Sequence, residues 1–277
     1  MNGNKTTATS SEERRMQRGI SVLAFFVPAF IMLVLFIIRG IYPFGDRSFL
    51  FSDMYHQYMP FLSEFVHKIK AGEGLFYSYN VGIGSNFLAL YVYYLASPFN
   101  WLVFLLPEGL IMEFMSYLVI LRIGLMGLTF SIYLRKVFGK EDPAALLFST
   151  AYALSGYLAA YNWNVMWLDS IAMLPLVMMG IERILKGERG SLFCISLFYA
   201  LYCNYYIGFM LCLFSCLYFV VLWISAREIK IKNIITSAVN FGWHALLAGG
   251  MAAVVLLPAY VALGVTESAE NSFPSPI

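Results

Sequence analysis

Charge is what this chain of 277 residues has least of. Asp, Glu, Lys and Arg together make up 12% of it, against about a quarter in an ordinary soluble domain. So few charges beside 60% apolar residues exclude a water-soluble globule, which has no interior large enough to hide that surface. Cysteine is scarce as well. Cys194, Cys203, Cys212 and Cys216 all fall in apolar stretches without metal-site or disulfide-framework spacing, and they read as small packing residues. No glycine-rich phosphate loop, zinc spacing or Ser/His/Asp arrangement stands out, and Gly82/Gly84 follow a loop rather than a strand, which disfavours direct use of a nucleotide-sugar. No small-x-small cleavage site precedes Arg39, which argues against a removed leader.

What the chain does have is long uncharged runs, and a mean hydropathy of +0.72. Ile20–Ile38 is long enough to cross about 30 Å of hydrocarbon. Further runs lie at Asn86–Leu106, Glu113–Leu134, Ala144–Tyr161, Ser170–Leu185, Ser191–Tyr205, Ile207–Ser225 and Ile234–Tyr260. A bilayer solvates such segments and obliges each to satisfy its own backbone as a helix. Thirteen of the 18 Lys and Arg fall in four clusters: Lys5/Arg14/Arg15/Arg18, Arg135/Lys136/Lys140, Arg183/Lys186/Arg189 and Arg227/Lys230/Lys232. The positive-inside rule places all four on the cytoplasmic side. That parity requires Asn86–Leu106 to return on itself, and Ser97-Pro98 marks the break between two half-length pieces. A through-going helix there would put nine basic residues outside.

The expected fold is therefore all-α, a polytopic transmembrane bundle of about seven spans. It divides into a cytoplasmic tail (1–19), a membrane domain (20–262) with a first outside loop over 39–112, and an outside tail (263–277) whose abrupt end reads as an interrupted protein. Asn204, Tyr205 and Tyr206 are expected at a tight outside turn. Within the loop, Met54, Tyr58, Phe61, Leu62, Phe65 and Ile69 recur at helical spacing on one face, with Ser52 or Asp53 as N-cap and Gly72 and Gly74 as stop. Their pattern predicts a helix lying in the membrane interface, apolar face in lipid, with His56, Gln57, Glu64, His67 and Lys68 toward water.

Asp53-Met54-Tyr55-His56-Gln57-Tyr58, Tyr77-Ser78-Tyr79, Gly82-Ile83-Gly84-Ser85-Asn86-Phe87, Tyr93-Tyr94-Leu95-Ala96-Ser97-Pro98-Phe99-Asn100 and Asn204-Tyr205-Tyr206-Ile207-Gly208 resemble the YfhO family of bacterial membrane proteins. That family is longer than this chain and is similar to the GT-C glycosyltransferases, which take sugars from polyprenyl-phosphate donors at the outer face. Arg122-(x)4-Gly127-(x)5-Tyr133-Leu134-Arg135-Lys136 resembles the second-span signature of those enzymes. The resemblance implies a GT-C-like bundle in the bacterial cell membrane with its N-terminus cytoplasmic. It would move sugar from a polyprenyl-phosphate carrier such as undecaprenyl phosphate to a cell-envelope acceptor such as lipoteichoic acid, with no nucleic-acid partner.

By position Asp53 matches the acid that activates the acceptor hydroxyl in those enzymes, though pattern alone also reads it as a helix cap. His56, one turn on, would share its site, and Asp46 is the second candidate acid. Arg122, a charge inside a span, is expected to face a cavity or a partner; its planar guanidinium suits the donor phosphate, with snorkelling as the alternative. Asp169, read as lying on a second outside turn, is expected as a second acid, a metal ligand or a helix cap, which leaves a divalent metal open as cofactor. Tyr55, Gln57, Asn164 and Tyr205 complete the expected substrate contacts. Trp163 and Trp167 read as interface-belt anchors and His244 as a packing residue. Two other readings stay open: a flippase for the lipid-linked sugar with Tyr91–Phe104 in its path, and an inactive remnant.

Overall fold

The computed structural model describes residues 11–139, 143–225 and 231–264. The expectations for the N-terminal tail to Ser10, for Lys140, for Arg227 and Lys230 and for the tail after Gly264 fall outside these residues. The described part is helical, and among its residues the only β pairing is two isolated bridges, Ile41–Arg47 and Ser78–Ser85.

Helix α1 (Ser11–Arg39) stops at Gly40, whose φ of 63° closes the helix as only glycine does readily. The first loop then carries a π turn (Met54–Tyr58) running into α2 (Met59–Ala71), which Gly72 ends at φ 69°. α3 (Phe87–Leu90) continues as a π turn (Tyr91–Leu95), breaks at Ala96-Ser97, and returns as a 3-10 stretch (Pro98–Leu105). The two limbs of this folded-back segment meet at 97°, and the break falls at the Ser97-Pro98 that signals it in sequence. α4 (Ile111–Phe138), α5 (Pro143–Ala153), α6 (Gly156–Tyr161), α7 (Val165–Leu185), α8 (Ser191–Cys203), α9 (Tyr205–Ser225), α10 (Ile231–Met251) and α11 (Ala253–Leu263) complete the bundle.

Among the described residues, five helical stretches are long and apolar enough to cross a bilayer: 19–39, 111–138, 143–161, 165–185 and 205–225. The run expected at 144–161 is interrupted where Ser155 turns extended before Gly156, separating α5 from α6. The run expected at 234–260 bends by 72° between α10 and α11. α8 has only 13 residues, about 20 Å at 1.5 Å per residue, short of the hydrocarbon thickness. At the joint between α8 and α9, Tyr206 is exposed but Asn204 turns inward. Asn204 is fully buried, its Oδ1 accepting from Ile207 N at 2.9 Å while its Nδ2 donates to Tyr93 O at 3.0 Å, beneath the folded-back segment.

Glycines let the long helices touch backbone to backbone, the device membrane bundles use where water supplies no drive between helices. A Cβ on Gly127 of α4 would lie 2.0 Å from Ala24 O of α1, and one on Gly180 of α7 would lie 2.5 Å from Phe193 N of α8. Among the described residues, polar contacts then join the ends of α1, α4, α7, α9 and α10 that border the basic segments. Arg135 Nη1 donates to Ser21 Oγ (3.1 Å), Tyr218 OH donates to Glu182 Oε1 (2.9 Å) and bonds Tyr133 OH (3.1 Å), and Ser237 Oγ donates to Ile184 O (3.4 Å). The first loop packs on the opposite end.

There α2 departs from its expected setting. Met54, Tyr58, Leu62 and Phe65 are buried against protein, not lipid: the Phe65 ring meets Tyr91, Trp101 and Phe104 of the folded-back segment at 5.1–5.7 Å. Glu64 and Lys68, expected in water, are 8% and 4% exposed. The reason is the 72–86 loop, which folds over that face. Ser78 Oγ donates to Glu64 Oε1 (2.6 Å), Asn80 Nδ2 to Glu64 Oε2 (3.0 Å), and Lys68 Nζ to Glu73 Oε2 (3.1 Å), so the buried charges are paired and hydrogen-bonded.

Candidate functional site

Asp53 opens the π turn at the loop end, just after Ser52, which holds a left-handed φ of 50°. Its carboxylate caps no backbone N–H, so the plain helix-cap reading does not describe it. It is half-buried, and the phenol next to it feels its charge: burial first, and then the Asp53 carboxylate, push Tyr58 well above the ordinary tyrosine range. Tyr58 therefore stays a neutral donor. Its OH donates to Asn164 Oδ1 at 3.0 Å, and Asn164, 3% exposed, keeps its Nδ2 without a partner. Tyr58 also faces Trp163 across near-parallel rings (6.4 Å, 9°) and Tyr94 at 5.3 Å, while Tyr93 meets Tyr205 at 5.2 Å. A carboxylate, aromatic faces and an unsatisfied amide donor thus converge where the π turn, the folded-back segment and the start of α7 meet. Trp163 forms a wall of this cluster.

The neighbouring cavity is a groove of about 650 Å³ between α1 and α5–α6. Met32, Leu35 and Phe36 line one side, Ala153, Leu154 and Leu158 the other, and Ile123 the deep end. At its loop-end mouth stand Arg39, Arg47, Ser48 and Asn162. Both guanidiniums are exposed, and among the described residues no carboxylate pairs with either. Phe51, on the rim, touches Trp163 (5.8 Å), so the groove mouth adjoins the Asp53 cluster.

The remaining expected residues scatter. Tyr55, His56 and Gln57 are exposed, and His56 packs edge-on against Tyr55 at 5.2 Å. His56 lines a separate open cavity of about 640 Å³ with Ser63, His67 and Asn80, which Asp53 does not border. Asp46 is exposed beside Arg47 and Glu113 around a smaller cavity of about 240 Å³. Arg122 and Asp169 are inside the bundle, each 1% exposed, and Arg122 Nε donates to Asp169 Oδ2 at 2.7 Å. Asp169 is thus not on an outside turn: α7 starts at Val165, five residues before the expected span, and carries it inward. Arg122 does not snorkel, and its Nε and Nη2 already have protein acceptors. Among the described residues no three His, Cys, Asp or Glu side chains are grouped to hold a metal ion. His244, half-buried, bonds Asn240 O at 2.9 Å through Nδ1.

Sequence reasoning passed over Tyr58, Tyr94, Arg39 and Arg47 as site residues. The arginines did carry a signal, since they are two of only five Lys and Arg outside the four basic clusters.

Helices of this length and apolarity, packed through glycines, define a polytopic membrane protein. The family model for the bacterial membrane protein YfhO matches residues 24–276, and the chain belongs to that family. Neither a curated protein nor a solved structure matches it.

Proposed function

We propose that the protein transfers a sugar from a polyprenyl-phosphate carrier to a cell-envelope acceptor, lipoteichoic acid being the family-based expectation, at a loop end that faces the outside of the cell. The observation that carries this reading is the apolar groove with two unpaired guanidiniums at its mouth, which Phe51 joins through Trp163 to the cluster around the half-buried Asp53. A lipid phosphate has the same three-part order: apolar chain, anion, sugar. The carrier's first isoprene units lie against Met32, Leu35 and Leu158, the phosphate meets Arg39 and Arg47, and the sugar reaches the half-buried rings of Tyr94 and Trp163, over the buried Tyr58–Asn164 pair. Asp53 takes the proton of the acceptor hydroxyl as its oxygen attacks the anomeric carbon. The bond from that carbon to the phosphate oxygen breaks, and the carrier phosphate leaves with the electron pair between the arginines. The flippase reading asks the folded-back segment to move, and its burial under α2 and its tie to Asn204 weigh against that.

The test is transfer by the full chain in proteoliposomes containing a polyprenyl-phosphate sugar, read as release of carrier phosphate. Asp53→Asn should lower the rate by about 10²–10⁴-fold, the usual weight of a general base, with the unfolding temperature unchanged. Arg39→Gln/Arg47→Gln should weaken retention of polyprenyl phosphate. Transfer that survives Asp53→Asn refutes the assignment.

A further inference from the structure

The Arg122–Asp169 pair touches neither the groove mouth nor Asp53, so the proposed transfer gives it no task. Its connections suggest one. From α4, the Arg122 guanidinium reaches two other elements: Nε bonds Asp169 of α7, and Nη2 donates to Ser97 Oγ (3.0 Å) and more distantly to Asn100 Oδ1 (3.5 Å), both at the bend of the folded-back segment. The Phe99 ring lies 5.9 Å from the guanidinium carbon. Asp169 takes a further, long bond from Tyr199 OH of α8 at 3.4 Å. One fork therefore joins the bend to the bundle's interior.

Stability is a poor reason for such a pair. Two charges removed from water recover little beyond their desolvation cost, and an apolar pair of equal volume commonly does as well or better. Register is the better reason, because the limbs on either side of Ser97 are a π turn and a 3-10 stretch, forms with weak internal hydrogen bonding. Two side-chain bonds inside the tip are local: Phe99 N donates to Ser97 Oγ (3.3 Å) and Asn100 Nδ2 donates to Leu95 O (3.1 Å). Tyr93 and Tyr94 stand only a few residues up the limb, against Tyr205, Tyr58 and Phe61.

We propose that Arg122 is a positioning residue whose fork, braced by Asp169, holds the bend of the folded-back segment at Ser97 and so sets Tyr93 and Tyr94 in place. That these tyrosines face a sugar rests on the proposed function; the anchoring does not. Lysine is no substitute, since a point charge that pairs with Asp169 cannot also present the second, rigidly spaced donor to Ser97.

The experiment is hydrogen exchange of the full chain in nanodiscs, followed in peptides covering 91–105, with the unfolding temperature measured in parallel. In Arg122→Met/Asp169→Leu, which removes both charges at similar volume, exchange in 91–105 should rise about tenfold or more while α7 keeps its protection. Arg122→Lys should keep the charge balance and show the same local rise. Parental protection of 91–105 in either folded Arg122 variant overturns the proposal. If neither variant folds, Arg122→Gln/Asp169→Asn decides, since it removes the fork and both charges while leaving Ser97 to accept from Phe99 N: a rise confined to 91–105 supports the anchor and no rise overturns it. Exchange needs no turnover, so a protein that transfers no sugar yet shows these changes would sink the functional reading alone.

Discussion

Adding one methyl group at Gly127 tests the packing that shapes the groove. Pro28 of α1 has no N–H, so the carbonyl four residues back, Ala24 O, loses its helix donor. The bare face of Gly127 lies against that carbonyl, and an added Cβ would sit 2.0 Å from the oxygen and 3.0 Å from Pro28 Cγ. Since non-bonded carbon atoms rest about 3.5–4.0 Å apart, α1 must retreat by about 1 Å or more, and neither obstacle is a side chain that can rotate away. Overpacking of this kind costs about 1–3 kcal/mol, set against at most about 1 kcal/mol of helix propensity gained in replacing glycine by alanine. Gly124→Ala is the control, for there the Cβ meets only the Phe25 ring, at 2.8–3.0 Å, which can turn. Unfolding temperatures in one detergent should fall in the order parent, Gly124→Ala, Gly127→Ala, by several degrees for the last. Because α1 carries one wall of the groove, Gly127→Ala should also lose bound lipid phosphate. A Gly127→Ala protein as stable as its parent refutes the close-approach argument.

Three further outcomes follow from single contacts. Asn204→Ala removes both the cap of α9 and the tie to Tyr93 O; a loss of about 1–2 kcal/mol is expected from the cap alone, read as a lowered unfolding temperature, and an unchanged one contradicts the paired role. Glu64→Ala removes the acceptor of the buried Ser78 hydroxyl, at about 1–3 kcal/mol for that unsatisfied group, while Lys68 keeps Glu73, and limited proteolysis should then cut within 72–86, where the parent resists. Tyr58 is raised in the folded protein, so folding favours its neutral form: its contribution is complete below the ordinary value of about 10 and is lost as pH climbs above it. A pH series of unfolding temperatures should show that alkaline decline, and Tyr58→Phe should flatten it.

The long elements were legible because one physical signal, an uncharged run of bilayer length, decides them. The break at Ser97-Pro98 was legible because proline cannot continue the run. The surroundings of α2 were not. Periodicity assigns Met54, Tyr58 and Phe65 a common face but cannot say whether lipid or protein covers it, and Glu64 and Lys68 look like solvent residues until Ser78 and Asn80 return to meet them. Arg122 was conspicuous as a charge within a span, yet its partner is 47 residues away, beyond any local pattern. Tyr58 and Tyr94 were hidden by abundance among 19 tyrosines.

The unequal helix lengths have a steric consequence. Arg122 and Asp169 mark one depth in the bundle. From there α4 continues eleven residues to Ile111 (122 − 111), whereas α7 ends after four, at Val165 (169 − 165); at 1.5 Å per residue the difference is about 10 Å. Asn164 and Tyr58, 3% and 4% exposed, therefore lie in a step beside α4 that the first loop fills. The shortness of α7 is thus what leaves room for the π turn to descend beside α4 and for Tyr58 to reach Asn164.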